Sequence, residues 1–240
     1  MEWTPETLTN KLYVVPTPIG NLGDITVRAL HILRSVAAIA CEDTRRTGLL
    51  LKAYGIVPRS LFRCDEHTEA RCSAKILRLL AAGESVALVS DAGTPGISDP
   101  GRGLIERVLT AGYEVSVLPG AAALIPALVG SGLSPQPFVF WGFPPQRGSA
   151  RRERLVEIAT CPWTSVVYEA PHRLHRLLEE LHELCSPQRR ICIARELSKA
   201  HEEYLRGTLA ECLQEVRRRA RIRGECVIVL EGRSRERTAD

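Results

Sequence analysis

No apolar run in the 240-residue sequence approaches the roughly 18 residues that a membrane-spanning helix needs, so a helical integral membrane protein is excluded. Met1-Glu2-Trp3-Thr4-Pro5-Glu6 puts no basic segment ahead of an apolar one, and no secretory signal is expected. Eight cysteines (Cys41, Cys64, Cys72, Cys161, Cys185, Cys192, Cys212 and Cys226) include no C-x-x-C pair, which argues against structural zinc and a disulfide frame. The expectation is reduced thiols in a cytoplasmic protein, with Cys41, Cys192 and Cys226 packed as small hydrophobes in apolar strands. The dinucleotide fingerprint is missing too: Pro16 and Pro18 stand where G-x-G-x-x-G has glycines, against a nicotinamide or flavin site. Aromatic residues are 5% of the chain, which speaks mildly against a large flat ligand.

What is present is an ordinary globular composition, 45% hydrophobic and 25% charged, in a chain long enough for one large core or two modest ones. It is organised around Ser90-Asp91-Ala92-Gly93-Thr94-Pro95-Gly96-Ile97-Ser98-Asp99-Pro100-Gly101. This run follows the strand-like Ser85–Val89 and precedes the helical Leu104–Leu109, and so sits where open α/β sheets bind ligands. Its glycines allow positive φ and close approach of a ligand to backbone, while Pro95 and Pro100 stiffen the path. Asp91 and Asp99 suit an amine or ribose hydroxyls better than a phosphate. A plain connection needs only two to six residues, so a longer Gly/Pro/Asp loop is read as a ligand site.

Similar loops recur. Leu12–Val15 is an opening strand that runs into Pro16-Thr17-Pro18-Ile19-Gly20-Asn21-Leu22-Gly23-Asp24, with Asp24 the expected cap of the next helix. Val36–Cys41 is a buried strand ending in Glu42-Asp43-Thr44-Arg45-Arg46; these residues either orient a polar substrate or cap and pair locally. Asp65-Glu66-His67-Thr68-Glu69 has one histidine among acids, too little for a metal site. Pro119-Gly120-Ala121-Ala122-Ala123 forms a third turn, fitted either to a ligand or to close helix packing. Ser134-Pro135-Gln136-Pro137 marks the expected boundary between an N-terminal α/β domain, 1–134, and a C-terminal one, 135–240. In the second, Thr208-Leu209-Ala210-Glu211 is a capping box, and His172 and His175 stand three apart at a helix start without a third metal ligand.

The net charge of +4 says little, but its distribution says more. Arg147, Arg151, Arg152 and Arg154 form one arginine-rich segment and Arg217, Arg218, Arg219, Arg221 and Arg223 another. Each is either a solvated helix face or a surface for a phosphate backbone.

Together, Thr17–Asp24, Glu42–Arg45, Ser90–Gly101, Tyr168-Glu169-Ala170-Pro171-His172-Arg173, Ala194-Arg195-Glu196-Leu197-Ser198-Lys199 and Gly207-Thr208-Leu209 resemble the bacterial 16S ribosomal RNA (cytidine-2′-O)-methyltransferases of the tetrapyrrole-methylase superfamily. The resemblance runs from about Leu12 to Gly232. It implies a two-domain α/β fold with S-adenosylmethionine in the cleft between domains, a homodimer, and 16S ribosomal RNA of the small subunit as substrate. Carried over by position, it puts the cofactor against Pro18 and Gly20, against Asp91, Gly93, Thr94, Pro95, Gly96, Ile97 and Ser98, against Ala122 and Ala123, and against Tyr168 and Leu197. There are departures from the family pattern. Ala121-Ala122-Ala123 lacks a hydroxyl usual after Pro119-Gly120, Thr68 replaces an asparagine after His67, and the chain stops soon after Gly232, which leaves more of any RNA grip to Arg217–Arg223.

Methyl transfer from a sulfonium is an in-line displacement that needs alignment rather than a metal. A ribose hydroxyl is a poor nucleophile, so a base or a cation near it is required. Glu42, Asp43, His67, Glu196 and Lys199 are the available groups, with Arg45 as phosphate or alkoxide partner. The Glu42-Asp43-Arg45 group is expected to position substrate, and Glu196 or Lys199 to handle the proton. The competing expectations are a tetrapyrrole C-methylase on the same fold and a non-catalytic ribosome-assembly protein.

Overall fold

The computed structural model describes residues 8–233, and its contacts divide the chain into two units, Met1–Ala122 and Ala123–Asp240. The reading of Met1–Glu6 lies outside the described residues. Among the described residues no helix is long and apolar enough to cross a membrane.

The first unit runs β1 (Leu12–Val14), α1 (Val27–Ser35), β2 (Ala38–Cys41), α2 (Thr44–Ala53), β3 (Leu61–Arg63), α3 (Glu69–Ala81), β4 (Val86–Val89), α4 (Arg102–Thr110) and β5 (Val115–Val117). The strands form one parallel sheet in the order β3-β2-β4-β1-β5. Strands β1, β2 and β4 are buried along their whole length, as their unbroken apolar sequences require of a parallel sheet covered on both faces. Alternate residues serve opposite faces: Tyr13, Ile39, Cys41, Ala87 and Val89 pack with α1 and α2, whereas Leu12, Ala38, Ala40, Val86 and Leu88 pack with α3 and α4. Right-handed crossovers account for this division. The chain moves one way across the sheet from β1 to β3 and returns the other way from β3 to β5, so the two helix pairs cover opposite faces.

Two expectations are corrected here. The cap of α1 is Thr26, whose Oγ1 accepts from the Ala29 amide at 3.0 Å; Asp24 lies earlier, inside a short 3-10 turn at Leu22–Asp24. Cys64 and Cys72 are not free thiols but a disulfide. The turn from β3 into α3 folds the chain back on itself and brings their Cα atoms to 5.6 Å, within bridging range. The remaining six cysteines are free, and Cys41, Cys192 and Cys226 are buried as expected.

The second unit runs α5 (Leu124–Gly130), β6 (Phe138–Gly142), α6 (Ser149–Thr160), β7 (Thr164–Glu169), α7 (Pro171–Leu184), β8 (Arg190–Arg195), β9 (Glu203–Thr208), α8 (Leu209–Arg218) and β10 (Cys226–Leu230). Its sheet has the order β6-β7-β10-β8-β9, parallel only between β6 and β7. Leu174, Leu177, Leu178 and Leu181 on α7, and Leu209, Cys212, Leu213 and Val216 on α8, are single apolar stripes at helical spacing. With Leu155 and Ile158 of α6 they form one core over the sheet. The capping box at Thr208 is present, with both reciprocal bonds made.

The division falls at Ala122 rather than at the Ser134–Pro137 segment because α5 packs on β8 and β10. Its first amide, of Leu124, donates to the Tyr168 hydroxyl at 3.1 Å, and its Pro126 and Gly130 carbonyls accept from Tyr204 and Arg206 of β9. Arg151 is also corrected. It is 1% exposed and forms no part of a solvated basic face: its guanidinium lies on Glu180 at 2.7 Å and Glu169 at 3.3 Å.

Candidate active site

The outgoing connections of β1 and β4, which are adjacent strands, leave in opposite directions, towards β2 and β5 respectively. That makes a crevice at their carboxyl ends, the place where an open parallel sheet takes its ligand. The two Gly/Pro loops meet on it. Thr17 and Gly93 exchange a pair of backbone hydrogen bonds, each 2.9 Å long, as an isolated bridge beyond the ends of the strands. The Thr17 hydroxyl, 1% exposed, donates to the Ser90 carbonyl at 3.1 Å, and the buried Ser90 hydroxyl donates to the Gly93 carbonyl at 3.2 Å. Thr94 Oγ1 donates to the Ala121 carbonyl at 2.9 Å and ties in the third turn. Gly93 and Gly96 both have φ of +83°, as the central loop requires, and Ser98 has φ of 60° without being glycine, a mark of local strain.

Pro18, Gly93 and Pro95 are thus buried within this cross-braced set, whereas Gly20, Ile97 and Ser98 are exposed at its rim and Thr94, Gly96 and Ala122 are half-buried. Among the described residues, the amides of Thr94 and Ala122 donate to no other atom of the chain. Thr17 and Ser90 were not singled out in sequence. The only signal was that each polar residue interrupts a stretch otherwise fixed by prolines, glycines or an apolar strand.

The acids of the same sheet edge have different duties. Asp43 caps α2 and holds Arg45 in a two-point contact, at 3.2 and 2.8 Å, which keeps its carboxyl well below the usual carboxylate range. Asp91 is a cross-tie: it accepts from the Asp43 amide at 3.1 Å and lies 3.3 Å from Arg46, so the ends of β2 and β4 are joined. Glu42 differs. Burial, then the charge of Asp91, push its carboxyl above the ordinary value against a hydrogen bond from the Asp91 amide. Exposed His67 lies on the neighbouring turn, where Asp65 is committed to Thr68 and Arg63. Among the described residues no group of three or more His, Cys, Asp or Glu side chains could hold a metal ion.

A family model described as tetrapyrrole (corrin/porphyrin) methylases matches residues 11–213. The chain belongs to this family. It is 48% identical over 220 residues to a ribosomal RNA small subunit methyltransferase I from Hydrogenobaculum sp., covering 92% of this chain and 95% of that one. Proteins of the same name from Bacillus subtilis, at 43% identity over 94% of this chain and 76% of theirs, and Escherichia coli O157:H7, at 44% over 92% and 78%, are also similar. Membership of the ribosomal RNA small subunit methyltransferase I family follows, and with it the methyltransferase class. Solved structures share the fold. A uroporphyrin-III C-methyl transferase from Thermus thermophilus, complexed with S-adenyl homocysteine, superposes with TM-score 0.63 at 18% identity over 92% of this chain and 97% of that one. A cobalt precorrin-4 methyltransferase gives 0.66 at 16% identity over 92% and 95%.

In this methylase the expected residues of the second unit gather at one end of its sheet, where β7 and β8 finish and β10 begins. Tyr168 is fixed by the Leu124 amide and by edge contacts with Phe140 and Phe143, whose ring centroids lie 4.9 and 5.4 Å away. Leu197 is buried in the turn after β8, between Glu196 and Ser198, which have φ of 51° and 64°. Lys199 bridges Glu196 and Glu225, each at 2.9 Å. The lysine hydrogen bond lowers the Glu196 carboxyl, and its two carboxylates raise Lys199 in spite of burial, so both stay charged. Glu225 escaped sequence reading because it is 26 residues from Lys199 and only the antiparallel pairing of β10 with β8 brings it near.

Proposed function

We propose that the protein transfers a methyl group from S-adenosylmethionine to the 2′-hydroxyl of a cytidine in 16S ribosomal RNA, as a cytoplasmic homodimer acting on the small subunit. The observation that carries this reading is the bridge between Thr17 and Gly93, which braces two glycine loops at the switch point of a methylase-family sheet. The substrate class is supported by relatives at 41–48% identity that are named as ribosomal RNA small subunit methyltransferases. The S-adenyl homocysteine in the Thermus thermophilus neighbour supports the donor.

The residues present fit such a donor. The amides of Thr94 and Ala122 are available to it, the left-handed Gly93 and Gly96 keep side chains out of its way, and exposed Ile97 offers an apolar contact at the rim. Contacts from Pro18, Gly20, Pro95, Ser98, Ala123, Tyr168 and Leu197 belong to the same proposal. When bound, the donor supplies a methyl group activated by a positively charged sulfur. The protein's share is alignment and proton removal. Glu42 is the base, because it alone among the acids of the first unit's candidate set has a raised carboxyl without a cation committed to it in a short contact. Asp43 is bound to Arg45, and Glu196 and Lys199 neutralise each other, so these groups position rather than accept a proton. Arg45 is the proposed phosphate partner, supported by a side chain that stays 88% exposed while paired with Asp43.

Transfer of labelled methyl from S-adenosylmethionine to small subunits lacking the modification tests the proposal. Label in the ribose of a 16S cytidine is expected. Label in uroporphyrinogen but not in RNA would replace it with a tetrapyrrole methylase, and no heat on titration with the donor would leave a non-catalytic RNA-binding protein.

A further inference from the structure

The two arginine segments do not have equal prospects as RNA contacts, and the structure separates them. In the first, Arg151 is buried on Glu169 and Glu180, while Arg154 pairs with Glu157 at 2.8 Å and lies over the Trp141 ring. In the second, the chain between α8 and β10 borders a groove of about 580 Å³ lined by His172, His175, Arg217, Arg219, Arg221 and Arg223, with no carboxylate in its wall among the described residues.

The four arginines of the groove fall into two kinds. Arg219 is a brace: it grips both oxygens of Glu203 at 2.7 and 2.9 Å and reaches Glu215 at 3.2 Å. Arg217 lies on Glu179 at 2.8 Å. Arg221 and Arg223 are exposed, and among the described residues neither has a carboxylate at ion-pair distance. They are nonetheless held in place. Ile222 between them packs against the core, Arg219 clamps the segment on one side, and the Arg223 carbonyl accepts from Arg195 at 3.0 Å. On the other side Gly224, at φ of +84°, leaves no room for a side chain beside Glu196. The segment leads into β10 beside the Glu196–Lys199 turn, where the Glu225 amide donates to Glu196 at 3.1 Å, and Cys226 pairs with Glu169, next to Tyr168.

We propose that Arg221 and Arg223 bind two phosphates of the RNA substrate in this groove and so lead the strand to the Tyr168–Leu197 end of the second unit. The inference rests on the reading of the substrate as RNA. A phosphate strand suits two exposed guanidiniums carried on a held backbone, with no carboxylate partner among the described residues, since each contact releases a counterion and no internal pair has to be broken. The already paired Arg217 and Arg219 give the groove its shape and its background field.

The test is binding of a radiolabelled 16S RNA transcript across a salt series by wild type, R221A/R223A, R221K/R223K and the control R147A/R152A. At about 0.7 counterions per contact on a single strand, the double alanine variant should weaken binding about 25-fold at 0.1 M salt and make the log–log salt slope shallower by about 1.4. KM for small subunits should rise with kcat and the heat of S-adenosylmethionine binding unchanged. The lysine variant should restore most of the affinity, and the control should match wild type. Unchanged affinity and slope for R221A/R223A, or an equal loss in the control, would overturn the inference. Wild type that neither binds the transcript nor methylates small subunits would instead defeat the substrate reading, while donor binding lost in R221A/R223A would assign these arginines to the donor and overturn their phosphate role.

Discussion

Replacing Arg151 by methionine keeps much of the side-chain volume and removes a guanidinium that is 1% exposed. Burial disfavours its charge, but hydrogen bonds and charge from Glu180, then Glu169, more than offset this and raise its pKa. Loss of one partner of a buried ion pair costs about 3–5 kcal/mol, because the other charge is left in the interior. Here Glu169 would keep Arg173 Nε at 2.6 Å and the Ala170 amide at 3.0 Å, which puts the expected cost near the lower end, about 3 kcal/mol. For a unit of this size that is a fall in Tm of about 10–15 °C. Thermal unfolding of wild type, R151M, E169Q and R151M/E169Q measures it. The double variant should lose less than the sum of the single ones, by about 2 kcal/mol, since removing both charges leaves none stranded. A Tm for R151M within 3 °C of wild type, or strict additivity in the cycle, would refute the reasoning. R151M should also leave the salt slope of RNA binding untouched, because a buried cation meets no phosphate.

The other predictions concern the site and its supports. Gly93→Ala places a side chain at φ of +83°, with no heavy atom nearer than 3.6 Å, so a loss of about 1–2 kcal/mol by chemical denaturation is expected together with weaker donor binding in calorimetry. Glu42→Gln should lower kcat about 10²–10⁴-fold with donor affinity kept, and the rising limb of the wild-type pH–rate profile should lie above the ordinary Glu value; an unchanged kcat would remove Glu42 as base. Glu203 is lowered from 4.5 to about 2, chiefly by its hydrogen bonds to Arg219. Its depressed value means that its contribution to stability is complete above the unfolded value of 4.5 and fades as pH falls through about 2. The deficit of E203Q against wild type in acid unfolding should therefore close over that window, and a deficit that persists below it would show that the carboxylate is not the cause.

Much of this was legible from residue order. The unbroken apolar strands at Ala38–Cys41 and Val86–Val89 required a sheet covered on both faces, and the Gly/Pro loops after Leu12–Val14 and Val86–Val89 marked the carboxyl edge where such a sheet takes ligands. The capping box at Thr208 and the proline at the start of α7 were local signals and were met locally. Strand β9, Glu203–Thr208, was not read, because a half-exposed edge strand of mixed polarity has no period to show. Arg151 and Arg217 could not be told from the open arginines beside them for a related reason: spacing along the chain tells which charges are near in sequence, and carries nothing about carboxylates that arrive from α7 or β7.

The sequence by itself determined the alternation of elements, the family, and the backbone freedom of the loops, since all three depend on residue type and short-range order. Only the tertiary structure decided which charged groups are spent. Asp91 is tied to Asp43 and Arg46, Arg151 is sealed under α7, and Arg221 and Arg223 are left open. Whether a charge is committed depends on a partner that is far along the chain and a few ångströms away in space, and that distance exists only once the chain has folded.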